Sequence, residues 1–206
     1  MGDGYLNMDK APQKQKPCCM PAGRFWGMLL GFLCVVATNA IFAATVEPWV
    51  VVDTRQRTLT VFSAKGKIVE RLPYVAIGRG GATKDRVHGD RKTPLGTFHV
   101  AWINPDSRFT LFFGLDFPTV EHADRSYRNR IIDRTTYHHL LDAALEQRIP
   151  PQNTPLGGRI GIHGVGDKDQ RFHYTGNWTD GCVAVTNQEI KRLARWIHIG
   201  TKVEIL

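Results

Sequence analysis

A single cysteine and an upstream histidine are the residues of this chain whose types and spacing could do covalent chemistry. Cys182 lies in Asn177-Trp178-Thr179-Asp180-Gly181-Cys182-Val183-Ala184-Val185-Thr186-Asn187, and His163 lies nineteen residues before it in Ile160-Gly161-Ile162-His163-Gly164. A thiol becomes a strong nucleophile as the thiolate, and an adjacent imidazole can take its proton near neutral pH. Cysteine reactivity raised near neutrality and dependent on His163 is therefore expected. Gly181 lets the backbone bend closely, so the N–H groups of Gly181 and Cys182 can aim at a developing oxyanion. The carbonyl of Gly164 can orient the imidazole. The plain alternative is that Cys182 is a small apolar side chain filling the core. Two signals in one place favour the chemical reading.

Other residues near these two are weaker candidates. Tyr174 and His173 lie in the intervening loop and could line a substrate cleft. Trp178 could pack beneath the site or touch a ligand. Asp180 could bond to the local turn or to a substrate amine, and Arg159 could meet a substrate carboxylate by charge. No metal site is expected. His138 and His139 are adjacent on a predicted helix and point about 100° apart, unlike paired i,i+4 ligands. His122-x-Asp124 lacks a third ligand. The Gly-rich segment 78–90 resembles phosphate-cradling loops in composition only, without the Lys-Ser/Thr ending or a following helix.

These side chains need elements to hold them. Trp49–Asp53 and Thr58–Phe62 read as strands, followed by 68–77 broken at Pro73. Thr93-Pro94-Leu95-Gly96 is a turn into a strand over 97–103, and 111–117 is a further strand. The stretch 121–135 is highly charged and could form part of an inserted subdomain or a lid. Thr136–Gln147 reads as a helix stopped by Pro150-Pro151. Short strands end on His163 and span 182–185. Thr186-Asn187-Gln188-Glu189 is a capping box, opening a second helix with Ile190, Leu193, Ala194 and Ile197 on one face. A last strand covers 202–206. The expected fold is mainly β, a single sandwich-like domain with two helices.

The chain has 206 residues, 42% hydrophobic and 22% charged, with a formal charge of +8. That is room for one domain and a leader. Residues 1–44 form a basic n-region and an apolar run that fits a secretory signal or an uncleaved membrane anchor. In either case 45–206 is expected to be exported, to a periplasm or cell envelope, with membrane contact only through the uncleaved segment. Cys18, Cys19 and Cys34 fall in the leader, so an exported domain keeps Cys182 alone and no internal disulfide. Without residues 1–44 the chain holds 23 basic and 17 acidic residues, a formal +6. Such a surface favours an anionic polymer or is simply solvated. No nucleic-acid-binding motif is present.

Ile162-His163-Gly164, a loop, and Thr179-Asp180-Gly181-Cys182 with a hydrophobic residue after it resemble the signature of the L,D-transpeptidase catalytic domain (YkuD-like) family. Thr93-Pro94-Leu95-Gly96 resembles that family's turn before a strand, and the likeness runs over roughly 47–206. The resemblance implies a β-rich, sandwich-like domain acting on peptidoglycan stem peptides without metal or cofactor. It implies Cys182 as nucleophile, His163 as general base, the Gly164 carbonyl as orienting group, and the Gly181 and Cys182 amides as oxyanion hole. The acyl-enzyme would be a thioester, resolved by an amine from a cross-link partner, a D-amino acid or a wall-attached protein. One departure bears on the acceptor. Many members carry Arg two positions after the cysteine, where this chain has Ala184. That segment resembles a branch that includes enzymes hydrolysing amide bonds to diaminopimelate. A carboxypeptidase or amidase on the same polymer is the alternative, and a wall-binding domain without turnover is a third reading.

Overall fold

Alternating burial defines the first strands. In β1 (Trp49–Asp53) Val50 and Val52 point into the core, and in β2 (Thr58–Phe62) Leu59 and Val61 do the same. This is the period of two expected of a strand with one buried face. A computed structural model describes residues 47–206 of the chain. The leader or anchor expected at 1–44, with its three cysteines, lies outside the described residues.

The remaining strands are β3 (Ile68–Leu72), β4 (Ala82–Thr83), β5 (Thr93–Pro94), β6 (Gly96–Asn104), β7 (Phe112–Leu115), β8 (Gly161–His163), β9 (Val183–Ala184) and β10 (Lys202–Ile205). Eight of them form one sheet in the order β3-β2-β1-β10-β6-β7-β8-β9, and β4 pairs with β5 separately. The β1–β10 and β8–β9 pairs are parallel, and the others in the large sheet are antiparallel. The sheet curls until its edges nearly meet. Ala76, just beyond β3, exchanges both backbone hydrogen bonds with Ala184 of β9, at 3.0 and 2.7 Å. That contact also covers the free edge of β9.

Among the described residues there are three α-helices, α1 (Val120–Arg128), α2 (Arg134–Leu145) and α3 (Asn187–Leu193), with a 3₁₀ turn over Gln170–Thr175. The sequence reading expected two helices. The extra one, α1, occupies the charged stretch because its inner face is made of His122, Ala123 and Ser126 rather than large apolar residues. Ala123 and Leu140 join the same core as Phe98, Phe113, Phe117 and Ile162. Each fully buried side chain of that size contributes about 1.5–3 kcal/mol. The inner faces of α1 and α2 are thus part of the core, and of the segment from α1 to Gln152 only Ile149 and Gln152 reach the cleft. Among the described residues no helix is long and apolar enough to cross a membrane.

Candidate active site

One antiparallel and one parallel neighbour place His163. Phe112 of β7 sits opposite it, and Ala184 of β9 is its partner on the other side. Val183 pairs with Ile162, so Cys182 follows the same register beside Gly161. Strand alternation then puts Cys182 and His163 on one face, two residues apart along the strands. Both line a single cleft of about 1680 Å³.

The turn before the cysteine is fastened from two sides. Thr179 N–H donates to Ile77 at 3.2 Å, and its carbonyl accepts from Arg79 N–H at 2.9 Å. The Thr179 hydroxyl donates to the Cys182 carbonyl at 2.7 Å and accepts from Gly181 N–H at 3.1 Å. Gly181 has φ +131°, a left-handed region that favours glycine, and a Cβ there would lie 2.7 Å from the Lys92 carbonyl. The Gly181 amide is thus already bonded to Thr179, which differs from its expected place as a free oxyanion donor.

His163 is buried at 2% exposure. Its Nδ1 lies 2.7 Å from the Gly164 carbonyl oxygen. A carbonyl only accepts, so Nδ1 carries the proton and Nε2 keeps a lone pair. Phe109 stacks on the imidazole at 4.2 Å, and Trp178 meets it edge-on at 5.8 Å. Burial pushes the imidazole down to about 4, opposed by the Gly164 hydrogen bond. Cys182 is half-buried, and its thiol donates to the Arg159 carbonyl at 3.4 Å. Burial pushes the thiol up to about 11, opposed by the Gly161 backbone and the Arg86 charge. No hydrogen bond joins thiol and imidazole. In this resting geometry burial favours the neutral form of both groups, opposite in direction to the expected thiol activation near neutrality. Low-dielectric surroundings disfavour both charged forms.

The weaker candidates separate. Trp178, Asp180 and Arg159 line the cleft with the reactive pair. Asp180 is paired with Arg79 and lies 3.9 Å from Arg91. Tyr174 does not line the cleft. It is 58% exposed and rests on Tyr74 at 5.3 Å. His173 is fully buried against Tyr74, also outside the cleft. A 3₁₀ turn repeats every three residues, so Phe172 and Thr175 share the cleft side while His173 turns inward. Arg108, Arg159 and Lys168 ring the cleft without ion pairs among the described residues. Sequence reasoning gave no role to Thr179, Phe109 or Arg86. Thr179 stood inside the quoted motif, whereas Phe109 and Arg86 reach the site only through the fold. No cluster of three metal-ligating side chains occurs among the described residues.

Residues 47–205 match the family model of the L,D-transpeptidase catalytic domain. No curated protein matches the chain. Among solved structures, Bd1075 of Bdellovibrio bacteriovorus is similar at 23% identity and TM-score 0.50, over 79% of this chain and 49% of that one. The helical cell shape determining protein Pgp2 of Campylobacter jejuni is similar at 18% identity and TM-score 0.50, over 77% and 47%. An L,D-transpeptidase of Xylanimonas cellulosilytica aligns at 16% identity and TM-score 0.45, over 80% and 62%. The chain spans about half the length of the first two, and at these identities the likeness is one of fold.

Proposed function

The chain belongs to the L,D-transpeptidase catalytic domain family, and from that premise we propose that it is an exported, cysteine-dependent L,D-transpeptidase acting on peptidoglycan stem peptides in the cell envelope. The observation that carries this reading is the single cleft holding the Cys182 thiol and an imidazole whose Nδ1–H is fixed on Gly164. That fixed tautomer leaves His163 Nε2 as the only ring position able to accept a proton.

The proposed reaction starts from two neutral groups. The thiol rotates away from the Arg159 carbonyl toward Nε2. Proton transfer accompanies attack of sulfur on the carbonyl of the third stem residue, so no free thiolate has to persist in the buried site. The Cys182 N–H is assigned to the developing oxyanion, and the Gly181 amide, held by Thr179, shapes the turn. The imidazolium then protonates the leaving amine of D-alanine, and a thioester remains on Cys182. A neutral acceptor amine attacks that thioester and passes a proton to Nε2 as the C–N bond forms; the C–S bond then breaks, and the imidazolium returns the proton to sulfur, regenerating the thiol and the neutral imidazole. Arg108, Arg159 and Lys168 supply positive charge for the carboxylates of the stem.

The test is incubation of the purified protein with tetrapeptide muropeptides, with and without an added D-amino acid, beside Cys182→Ala. Exchange of the terminal D-alanine or a new cross-link, dependent on Cys182, is the expected result by mass spectrometry. Cys182-dependent tripeptide alone reassigns the protein as a carboxypeptidase, with water resolving the thioester. Full activity in Cys182→Ala overturns the thiol mechanism.

A further inference from the structure

Arg86 has no part in the chemistry above, yet it is only 6% exposed. Arginine is almost never that buried unless it is paired. It stands on the segment between β4 and β5, and its donors reach three different stretches of chain. Nε donates to the Lys92 carbonyl at 2.9 Å, Nη1 to Leu156 at 2.6 Å and Nη2 to Asp180 at 3.2 Å. Lys92 leads into β5, Leu156 leads toward β8, and Asp180 opens the turn to Cys182. The backbone is shaped around the guanidinium. A Cβ on Gly157 would lie 2.3 Å from Nη1, and one on Gly181 would lie 3.2 Å from Nε.

Its counter-charge is incomplete. Among the described residues Asp90 is the one carboxylate paired with it, at 3.9 Å, and both Asp90 oxygens accept backbone amides, from Lys92 and Val87. Burying a guanidinium costs several kcal/mol unless its donors and charge are used. The donors are satisfied by carbonyls, which leaves a fixed positive charge behind the cysteine turn. On the opposite side of His163 stands Ala184, fully buried and uncharged. Arg79 and Arg91 meet the Asp180 carboxylate from the exposed side of the turn, whereas Arg86 is the buried cation bonded to its backbone.

We propose that Arg86 is a positioning residue of the cysteine site: through the Asp180 carbonyl it holds the Asp180–Cys182 turn, and its charge favours the negative charge that forms on Cys182 Sγ during attack. This inference rests on the thiol-acyltransferase reading for its effect on turnover, but its effect on the thiol does not need that reading. A purely structural Arg86 would alter folding without altering thiol ionisation.

The experiment is iodoacetamide alkylation of the full chain from pH 7.5 to 10, read at the Cys182 peptide by mass spectrometry. Wild type, Arg86→Lys, Arg86→Gln and Asp90→Asn are compared, alongside kcat and KM on tetrapeptide. Loss of the charge in Arg86→Gln is expected to shift thiol ionisation up by about one pH unit, a roughly tenfold slower reaction at pH 9. Arg86→Lys keeps most of the alkylation rate but not the three carbonyl bonds, so its kcat falls at nearly unchanged KM. Asp90→Asn leaves Arg86 in place and frees its charge, so alkylation at pH 9 speeds up. Equal rates at pH 9 in wild type, Arg86→Gln and Asp90→Asn overturn the proposal. If Arg86→Gln does not fold, Asp90→Asn decides alone. Absence of turnover in every variant, with the expected alkylation pattern, removes the acyltransferase reading and keeps the electrostatic role.

Discussion

Two neutral partners, an imidazole held near 4 and a thiol held near 11, behave differently from a preformed thiolate–imidazolium pair. Alkylation of Cys182 should be slow at pH 7 and rise about tenfold per pH unit through pH 9, because the thiolate fraction grows that way below its pKa. His163→Gln should leave that rate nearly unchanged while lowering turnover by ~100-fold or more, the usual share of a general base. Iodoacetamide kinetics and tetrapeptide turnover on the same preparations check both halves. Fast alkylation at pH 7 that disappears in His163→Gln would establish an ion pair in the resting enzyme and defeat the neutral-pair mechanism. His163 and Cys182 were legible in the sequence because their side-chain chemistry is rare and their glycine neighbours are distinctive. Their charge states were not legible. Those depend on Phe109 stacking on the ring and on the low-dielectric floor around the sulfur, and neither is encoded in local spacing.

Strand β9 has two residues, too short to be stable alone, so its position must come from what adjoins it. β8 pairs with one edge, Ala76 covers the other, and the helix α3 anchors the exit. Thr186 begins that helix with a reciprocal cap: its hydroxyl receives Glu189 N–H, and Glu189 receives Thr186 N–H at 2.8 Å. Thr186→Ala should cost about 1 kcal/mol and lower Tm by roughly 2–4 °C. Thermal unfolding measures this, and an unchanged Tm would mean that β8 and the 76–79 segment hold the strand unaided. The capping box was readable from Thr186 and Glu189 alone, since both partners are three residues apart. Strand β1 was readable from its apolar run and β2 from its alternation. Helix α1 was not, because a face built of His122, Ala123 and Ser126 leaves no hydrophobic stripe. Tyr174 was misplaced for a related reason. Its distance in sequence from Cys182 is short, but the 3₁₀ turn rotates it to the outer side.

Across the whole domain, several histidines are buried without charge, and this sets how the fold responds to acid. His122 sits between Phe98 and Phe117, with Thr119 Oγ1 2.8 Å from Nδ1 and the Leu95 carbonyl 3.2 Å from Nε2. Burial pushes it down to about 4, as it does His163, and His173 is also lowered by burial. In the unfolded chain these groups take up a proton near pH 6.5, whereas folded His122 and His163 do not until about pH 4, and folded His173 is shifted in the same direction. Stability is therefore fully present above 6.5 and is lost as pH falls from 6.5 toward 4, because the unfolded state binds more protons throughout that window. His122 and His163 each account for roughly 3 kcal/mol over the full span, at about 1.4 kcal/mol per unit. Asp116 works in the opposite sense. Burial raises its carboxyl, so its folded form binds protons earlier and offsets part of the loss. The net positive charge of the chain adds self-repulsion on acidification, which alone would also lower stability. His122→Gln separates the causes: the amide can occupy the same pair of hydrogen bonds but cannot titrate. Urea midpoints at pH 7, 5.5 and 4.5 should fall steeply in the wild type and less steeply in His122→Gln. Parallel slopes in the two proteins would assign the acid sensitivity to general charge repulsion, and a flat wild-type profile would mean that these imidazoles reach water without unfolding.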